Sequence, residues 1–120
     1  MTETVFIERQ DTVATIVLNR PEKLNALGIQ EWELVGSLIE ELHLDETIRC
    51  VVFRGTDERA FSAGADIAAF AEQRSTHSQV RAYGELIDRT LTAIRTCRSP
   101  VIAAITGVCV GGGLELASVC

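Results

Sequence analysis

The sequence is poor in aromatic residues and in proline, and its basic side chains are outnumbered by acidic ones. Aromatic residues make up 5% of the 120 residues, so a hydrophobic core has to be built mainly from Val, Ile, Leu and Ala. Lys and Arg number 11 against 17 Asp and Glu and are dispersed among them, which gives a net charge of −6. Because nucleic-acid binding depends on clustered Lys and Arg, we expect no nucleic-acid partner.

Long apolar runs and cysteine motifs are missing as well. No apolar run approaches the ~20 residues of a membrane span, and the N-terminal residues lack the basic and apolar regions of a signal peptide. The cysteines show no Cys-x-x-Cys spacing, which favours a reducing compartment and gives no sign of a metal site; they are Cys50, Cys97, Cys109 and Cys120. We therefore expect a cytoplasmic protein with neither a membrane partner nor a bound metal.

The hydrophobic pattern predicts an α/β fold. Two runs rich in Val, Ile and Thr, at 4–9 and 12–19, predict a β-hairpin, and the second run is apolar on both faces, as expected for a strand inside a sheet. A helix is expected from Gly28 to about Leu44, with its acidic residues, Glu31 among them, mostly outside the apolar stripe. The next apolar run, 50–53, predicts a strand parallel to a later one at 101–105, since a helix intervenes.

The most informative stretch runs from 99 to 120. Val101 to Ile105 form an apolar run that predicts a strand buried on both faces, and three glycines, Gly111 to Gly113, then lead into a helix that contains Glu115. The first N–H groups of a helix have no intrahelical partner and can bind an anion. A phosphate would require a nearby Lys or Arg, but Glu115 is the one charge between Thr106 and Cys120. The N–H groups of this segment are better suited to bind the transient oxyanion of a thioester, and the neighbouring Glu115 carboxylate could move a proton.

A second turn of small residues precedes another helix. The segment F-S-A-G-A-D-I at 61–67 also presents backbone N–H groups at a helix start, and Asp66 suits the position of an N-cap. Together with G-V-C-V-G-G-G-L-E-L-A at 107–117 and I-V-L-N-R-P-E-K-L-N-A-L at 16–27, it resembles the signatures of the crotonase family of enoyl-CoA hydratases and isomerases. The resemblance covers nearly the whole chain, and its three motifs occur in the family's order.

This resemblance implies an α/β, crotonase-like spiral of strand-strand-helix units, of which residues 1–120 would be the N-terminal part. It implies an acyl-CoA substrate, no separate cofactor because coenzyme A is part of the substrate, and assembly into trimers or hexamers. The reaction would be hydration of 2-enoyl-CoA in fatty-acid or related acyl-CoA degradation. The acyl length, and the choice between hydratase, isomerase, dehalogenase and decarboxylase, stay open.

The resemblance also assigns roles to individual residues. Ala65 and Gly112 would donate their N–H groups to the thioester oxygen, and Glu115 would match the first of two glutamates that act on water and on the α-carbon. The remaining residues expected to contact the CoA thioester are Asp66, Ile67, Ala68, Lys23, Leu24 and Ala26. A match for the second glutamate would lie beyond Cys120, so we expect the 120-residue chain alone to be an incomplete and inactive hydratase. Apolar residues of the last helix, among them Leu114 and Leu116, are expected to make it self-associate.

Two other functions are compatible with the sequence. Gly107 to Gly111 has the form G-x-nucleophile-x-G, so Cys109 could be the nucleophile of a cysteine hydrolase. In that class the acid and histidine follow the nucleophile, whereas both histidines here precede it. Alternatively, the chain could be a non-catalytic module that binds CoA thioesters or mediates assembly.

Overall fold

The computed structural model describes residues 3–120. Within these residues, no helix is both long enough and apolar enough to cross a membrane. Pairs of consecutive strands are each followed by one or two helices, and a short 3-10 turn at Pro21–Lys23 follows the second strand. The elements are β1 (Val5–Gln10), β2 (Val13–Leu18), α1 (Ile29–Leu44), β3 (Cys50–Gly55), β4 (Ala60–Ser62), α2 (Ile67–Gln73), α3 (His77–Arg95), β5 (Val101–Ala104), β6 (Val108–Cys109) and α4 (Gly112–Ser118).

The main sheet has four strands in the order β1-β2-β3-β5. The predicted hairpin is confirmed, because β1 and β2 pair antiparallel across a turn in which Asp11 adopts a left-handed conformation, with φ of 55°. β2 lies inside the sheet, as its two apolar faces predicted, and pairs with β3 in parallel. The parallel pairing of β3 with β5 is also confirmed, with Val51 opposite Val101.

A second, two-stranded sheet carries the two small-residue turns. β4 pairs in parallel with β6, with Ala60 opposite Val108 and Ser62 opposite Cys109. Each of these strands ends just before one of the turns that precede α2 and α4. Parallel pairing puts the carboxyl ends of both strands at the same edge, so the two turns lie side by side.

The hydrophobic core lies between the main sheet and the helices α1 and α3. The predicted stripe of α1 is confirmed, since Trp32, Val35, Ile39 and Leu42 are each at most 1% exposed. These side chains pack with those of the sheet, including Phe53, which is fully buried. Aliphatic residues therefore supply most of the core, as the scarcity of aromatic residues predicted.

β5 differs from its prediction, because it is not buried on both faces. Ile102 is 51% exposed and Ile105, just beyond the strand, is 48% exposed. β5 is an edge strand of the sheet, and within residues 3–120 no element covers this face. The last helix also differs in part: Leu114 is 55% exposed, as predicted, but Leu116 is completely buried and joins the core.

We predict that the exposed apolar side chains of Ile102, Ile105 and Leu114 make the purified chain self-associate. Replacing Leu114 with Lys should raise the dissociation constant by about tenfold or more, because full burial of a leucine contributes ~1.5–3 kcal/mol and a lysine ammonium resists burial. Sedimentation velocity over a range of concentrations measures the change. Leu44→Lys is the matched control, since Leu44 is 79% exposed at the end of α1. A strictly monomeric wild-type chain would contradict the prediction.

Candidate active site

The loop between β2 and α1 is held in place by a buried asparagine. Leu24 and Asn25 are both left-handed, with φ of 51° and 58°, and Asn25 is only 3% exposed. Its amide oxygen accepts a hydrogen bond from the N–H of Arg20 at 2.8 Å, and its amide nitrogen donates to the carbonyl of Ala60 at 3.0 Å. Asn25 therefore ties the loop to β4, directly before the first small-residue turn.

The same loop pairs with the segment that precedes α2. Leu27 and Ala65 form an isolated parallel bridge, in which the N–H of Leu27 donates to the carbonyl of Gly64 at 2.7 Å. The N–H of Asp66 donates to the carbonyl of Leu27 at 3.3 Å. Because successive peptide groups of an extended segment alternate in direction, the N–H of Ala65 points away from Leu27. Within residues 3–120 it donates to no protein acceptor.

Gly112 presents a second N–H group of this kind. It is the first residue of α4, after Gly111 at the N-cap, and its N–H has no acceptor in the described part of the chain. The turn is tied to β4, because the N–H of Val110 donates to the carbonyl of Ser62 at 3.2 Å. A Cβ added to Gly113 would lie 2.5 Å from that same carbonyl, so only glycine allows α4 to begin this close to β4.

Gly64 brings the two turns into contact. Its φ of +94° is a conformation that favours glycine, and a Cβ added there would lie 3.2 Å from the nitrogen of Gly112. Ala65, the residue that follows, is exposed, while Gly112 is half-buried. The structure therefore brings the two predicted N–H donors to neighbouring positions on one side of the molecule, although Ala65 and Gly112 are 47 positions apart in the sequence.

Glu115 lies in the first turn of α4, as predicted. Its own N–H donates to the carbonyl of Gly111 at 2.9 Å, which places it one helical turn beyond the glycines. The side chain is exposed, and the carboxylate forms no ion pair or side-chain hydrogen bond within residues 3–120. It is therefore free to interact with a ligand that binds at the turn.

Most of the residues predicted to contact the CoA thioester line one open surface cavity. The cavity has a volume of about 250 Å³. Ala65 contributes to it, but Gly112, Glu115 and Leu24 do not; Leu24 is exposed beside it. Lining residues are Lys23, Ala26, Ala63, Ala65, Asp66, Ile67 and Ala68.

Asp66 is the N-cap of α2, as the sequence predicted. One carboxylate oxygen accepts hydrogen bonds from the N–H groups of Ala68 at 3.1 Å and Ala69 at 3.4 Å. The other oxygen accepts from the guanidinium of Arg20 at 3.0 Å. Burial raises the pKa of Asp66, but the hydrogen bonds from Arg20 and Ala69 outweigh it and hold the pKa below its usual value. The side chain is thus fully engaged in positioning α2.

Arg20 also binds Glu31, which corrects the prediction that Glu31 lies outside the apolar stripe of α1. Glu31 is only 5% exposed and accepts hydrogen bonds from the guanidinium of Arg20 at 3.3 Å and from the hydroxyl of Thr4 at 2.7 Å. It also accepts from the N–H of Gly28 at 2.8 Å, which caps the start of α1. The reason for the burial is that Glu31 satisfies donors from three segments at once.

The geometry around Cys109 does not favour a cysteine hydrolase. A nucleophile elbow places the nucleophile in a strained turn, but Cys109 is the last residue of β6, and the left-handed residues nearby are Gly107 and Gly111. Burial raises the pKa of the Cys109 thiol, which opposes formation of a thiolate. His43 accepts a hydrogen bond from the N–H of Arg98, and His77 is exposed at the start of α3.

Comparisons with known proteins agree with this architecture. A crystal structure of an enoyl-CoA hydratase/carnithine racemase from Magnetospirillum magneticum superposes with a TM-score of 0.94 at 40% identity, over 100% of this chain and 45% of that one. An enoyl-CoA hydratase from Bacillus anthracis gives a TM-score of 0.91 at 31% identity, over 98% of this chain and 45% of its own. The architecture is therefore the α/β crotonase fold, as predicted.

Sequence comparison extends the assignment from fold to family. The model of the enoyl-CoA hydratase/isomerase family matches residues 8–120. The putative enoyl-CoA hydratase/isomerase YngF of Bacillus subtilis is 40% identical over 97% of this chain and 44% of its own length. This chain belongs to the enoyl-CoA hydratase/isomerase family, and it spans less than half the length of the relatives that it matches.

We predict that Arg20 is required for stability. Arg20→Met should lower the free energy of unfolding by ~3–5 kcal/mol, because it leaves two largely buried carboxylates without their cation. The side chains of Arg20, Glu31 and Asp66 are only 15%, 7% and 12% exposed. Urea denaturation measures the difference.

The matched control for Arg20→Met is Arg54→Met. Arg54 pairs with Glu8, and these side chains are 39% and 53% exposed, so its loss should cost ~1 kcal/mol or less. Equal losses for the two variants would show that the Arg20 pairs contribute no more than a surface ion pair.

Proposed function

We propose that the protein of which this chain is part acts on acyl-CoA thioesters through an oxyanion hole formed by the N–H groups of Ala65 and Gly112. The observation that carries this proposal is the presence of two free N–H groups on neighbouring turns, beside an open cavity. In a reaction that forms a thioester enolate, negative charge develops on the carbonyl oxygen. Two N–H donors on rigid segments would stabilise that charge more strongly than they stabilise the neutral thioester.

The coenzyme A part of the substrate would lie along the cavity. Ala26, Ala63 and Ala68 give it walls of small side chains, and Lys23 supplies an exposed cation that would attract the phosphates of CoA. Asp66 lines the same cavity, but its carboxylate is occupied by Arg20 and by the first turn of α2. Its role is therefore to hold the Ala65 segment rather than to contact the reacting atoms.

Glu115 would be the proton-transfer group. Its carboxylate is exposed and unpaired within the described residues, and it follows Gly112 by three positions. A carboxylate near the thioester can move a proton to or from water or the substrate's α-carbon. Hydration of a 2-enoyl-CoA fits these groups, and a relative from Clostridium acetobutylicum, 34% identical over 97% of this chain, is a short-chain-enoyl-CoA hydratase.

The oxyanion hole can be tested without turnover. A conjugated dienoyl-CoA absorbs at longer wavelength when hydrogen bonds polarise its thioester carbonyl, so binding to this chain should produce a red shift. Gly112→Pro removes one N–H, and proline is tolerated at the first position of a helix. We expect this variant to lose most of the red shift.

Gly112→Ala is the matched control because it keeps the N–H. Its Cβ would lie 3.3 Å from the ring of Trp32, so this variant reports the effect of added bulk alone. The red shift should survive in Gly112→Ala. A red shift of unchanged size in folded Gly112→Pro would remove Gly112 from the oxyanion hole.

Glu115 is tested by turnover in the protein that contains this segment. Glu115→Gln preserves the shape of the side chain and removes the group that carries the proton, so the rate of crotonyl-CoA hydration should fall by ~100-fold or more. Glu46→Gln, an exposed glutamate in the loop after α1, should leave the rate unchanged.

Two outcomes would contradict the role of Glu115. A loss of less than about tenfold would make Glu115 structural. Acyl-CoA binding without turnover in that protein would instead support the alternative of a non-catalytic binding module.

A further inference from the structure

Arg74 differs from the other basic residues of the described chain. Five of the 11 Lys and Arg side chains form ion pairs with a carboxylate. Among the remaining six, Arg74 is half-buried, whereas the other five are exposed: Lys23, Arg49, Arg89, Arg95 and Arg98. Arg74 is therefore the one partly buried cation in residues 3–120 without an acidic partner.

Two aromatic rings fix the position of this guanidinium. Its central carbon lies 3.8 Å from the centroid of the Tyr83 ring and 4.9 Å from that of the Phe70 ring. The rings attract the cation through their π faces but offer neither a hydrogen-bond acceptor nor a counter-charge. The Nε atom of Arg74 is buried and has no hydrogen-bond partner. The side chain is thus held in place while its charge stays unneutralised.

Arg74 is also connected to the proposed thioester site. It directly follows α2, whose N-cap, Asp66, lines the site, and seven residues of helix span about 10 Å. On the other side, the hydroxyl of Tyr83 donates to the carbonyl of Leu27 at 3.2 Å, and the same carbonyl accepts the N–H of Asp66. An extended acyl chain of medium length covers a comparable distance from its thioester carbonyl.

We infer that Arg74 selects acyl-CoA substrates that carry a carboxylate on the acyl chain. A guanidinium matches a carboxylate with two parallel hydrogen bonds, and a partly buried one forms them without the full screening of water. The inference rests on the proposed function, since it assumes that the thioester binds at Ala65 and Gly112. The same guanidinium could instead bind a phosphate of coenzyme A, and the experiment has to separate these two sources of negative charge.

The test compares matched thioesters by calorimetric binding to this chain. Adipyl-CoA and hexanoyl-CoA differ by the distal carboxylate, suberyl-CoA and octanoyl-CoA form a longer pair, and free CoA reports the nucleotide alone. The wild-type protein should bind one of the dicarboxylic thioesters at least about tenfold more tightly than its monocarboxylic partner. Arg74→Met should abolish that preference while leaving hexanoyl-CoA binding unchanged. Arg89→Met, which removes an exposed, unpaired arginine, should retain the preference for the dicarboxylic thioester.

Three outcomes would overturn the inference, and they are distinguishable. If wild-type protein binds the monocarboxylic thioesters but shows no preference, Arg74 does not select a carboxylate. If Arg74→Met weakens all thioesters and free CoA equally, Arg74 binds a CoA phosphate. If wild-type protein binds no acyl-CoA at all, the proposed function fails and the inference fails with it. The wild-type comparison needs no variant, so the absence of a preference would overturn the inference even if Arg74→Met failed to fold. If Arg74→Met does not fold, Arg74→Lys, which keeps the charge but cannot form the two parallel hydrogen bonds, should weaken the preference, and an unchanged preference in that variant would overturn the inference.

Discussion

The guanidinium of Arg20 holds together the three segments that shape the candidate site. It pairs with Glu31 at the start of α1 and with Asp66 at the start of α2, and it donates to the carbonyl of Ala26 at 3.1 Å. Glu31 and Asp66 lie at the starts of their helices, and Ala26 lies in the loop between β2 and α1. Because both carboxylates are largely buried, neither can be solvated by water if the arginine is lost. The placement of Ala65 therefore depends on a side chain that never faces the ligand cavity.

A second constraint positions Gly112 relative to Ala65. The parallel pairing of β4 with β6 fixes the register of the two turns, and the absence of a side chain at Gly64 lets them approach within van der Waals contact. In a site of this kind the donors are backbone groups, so their positions are set by strand register rather than by side-chain rotamers. Such groups need little reorganisation when charge develops, and this is the property that an oxyanion hole requires.

Local patterns in the sequence were sufficient to predict the main sheet, α1 and the small-residue turns, but not the second sheet formed by β4 and β6. The apolar period of α1, the N-cap at Asp66 and the glycines before α4 each depend on neighbouring residues, and all are confirmed. The prediction that Glu31 lies outside the apolar stripe of α1 was wrong because its partners, Arg20 and Thr4, come from other segments. Helical periodicity carries no information about such partners. The prediction that β5 is buried on both faces was wrong for a related reason. Its apolar composition fits a strand with both faces covered, but whether a face is covered depends on which elements pack nearby. Nothing in the sequence distinguishes Arg74 from the other dispersed arginines, because its contacts with Phe70 and Tyr83 arise only in the folded chain.

The most direct test of the oxyanion hole is amide NMR of this chain with two ligands that differ by one oxygen. Butyryl-CoA carries the thioester carbonyl, and the corresponding butyl thioether of CoA lacks it. If the N–H groups of Ala65 and Gly112 bind that oxygen, their proton resonances will move downfield with the thioester but not with the thioether, while resonances of Ala26 and Ala68 respond to both. Equal responses of Ala65 and Gly112 to the two ligands would contradict the account, because the carbonyl oxygen would then have no part in binding at the two turns.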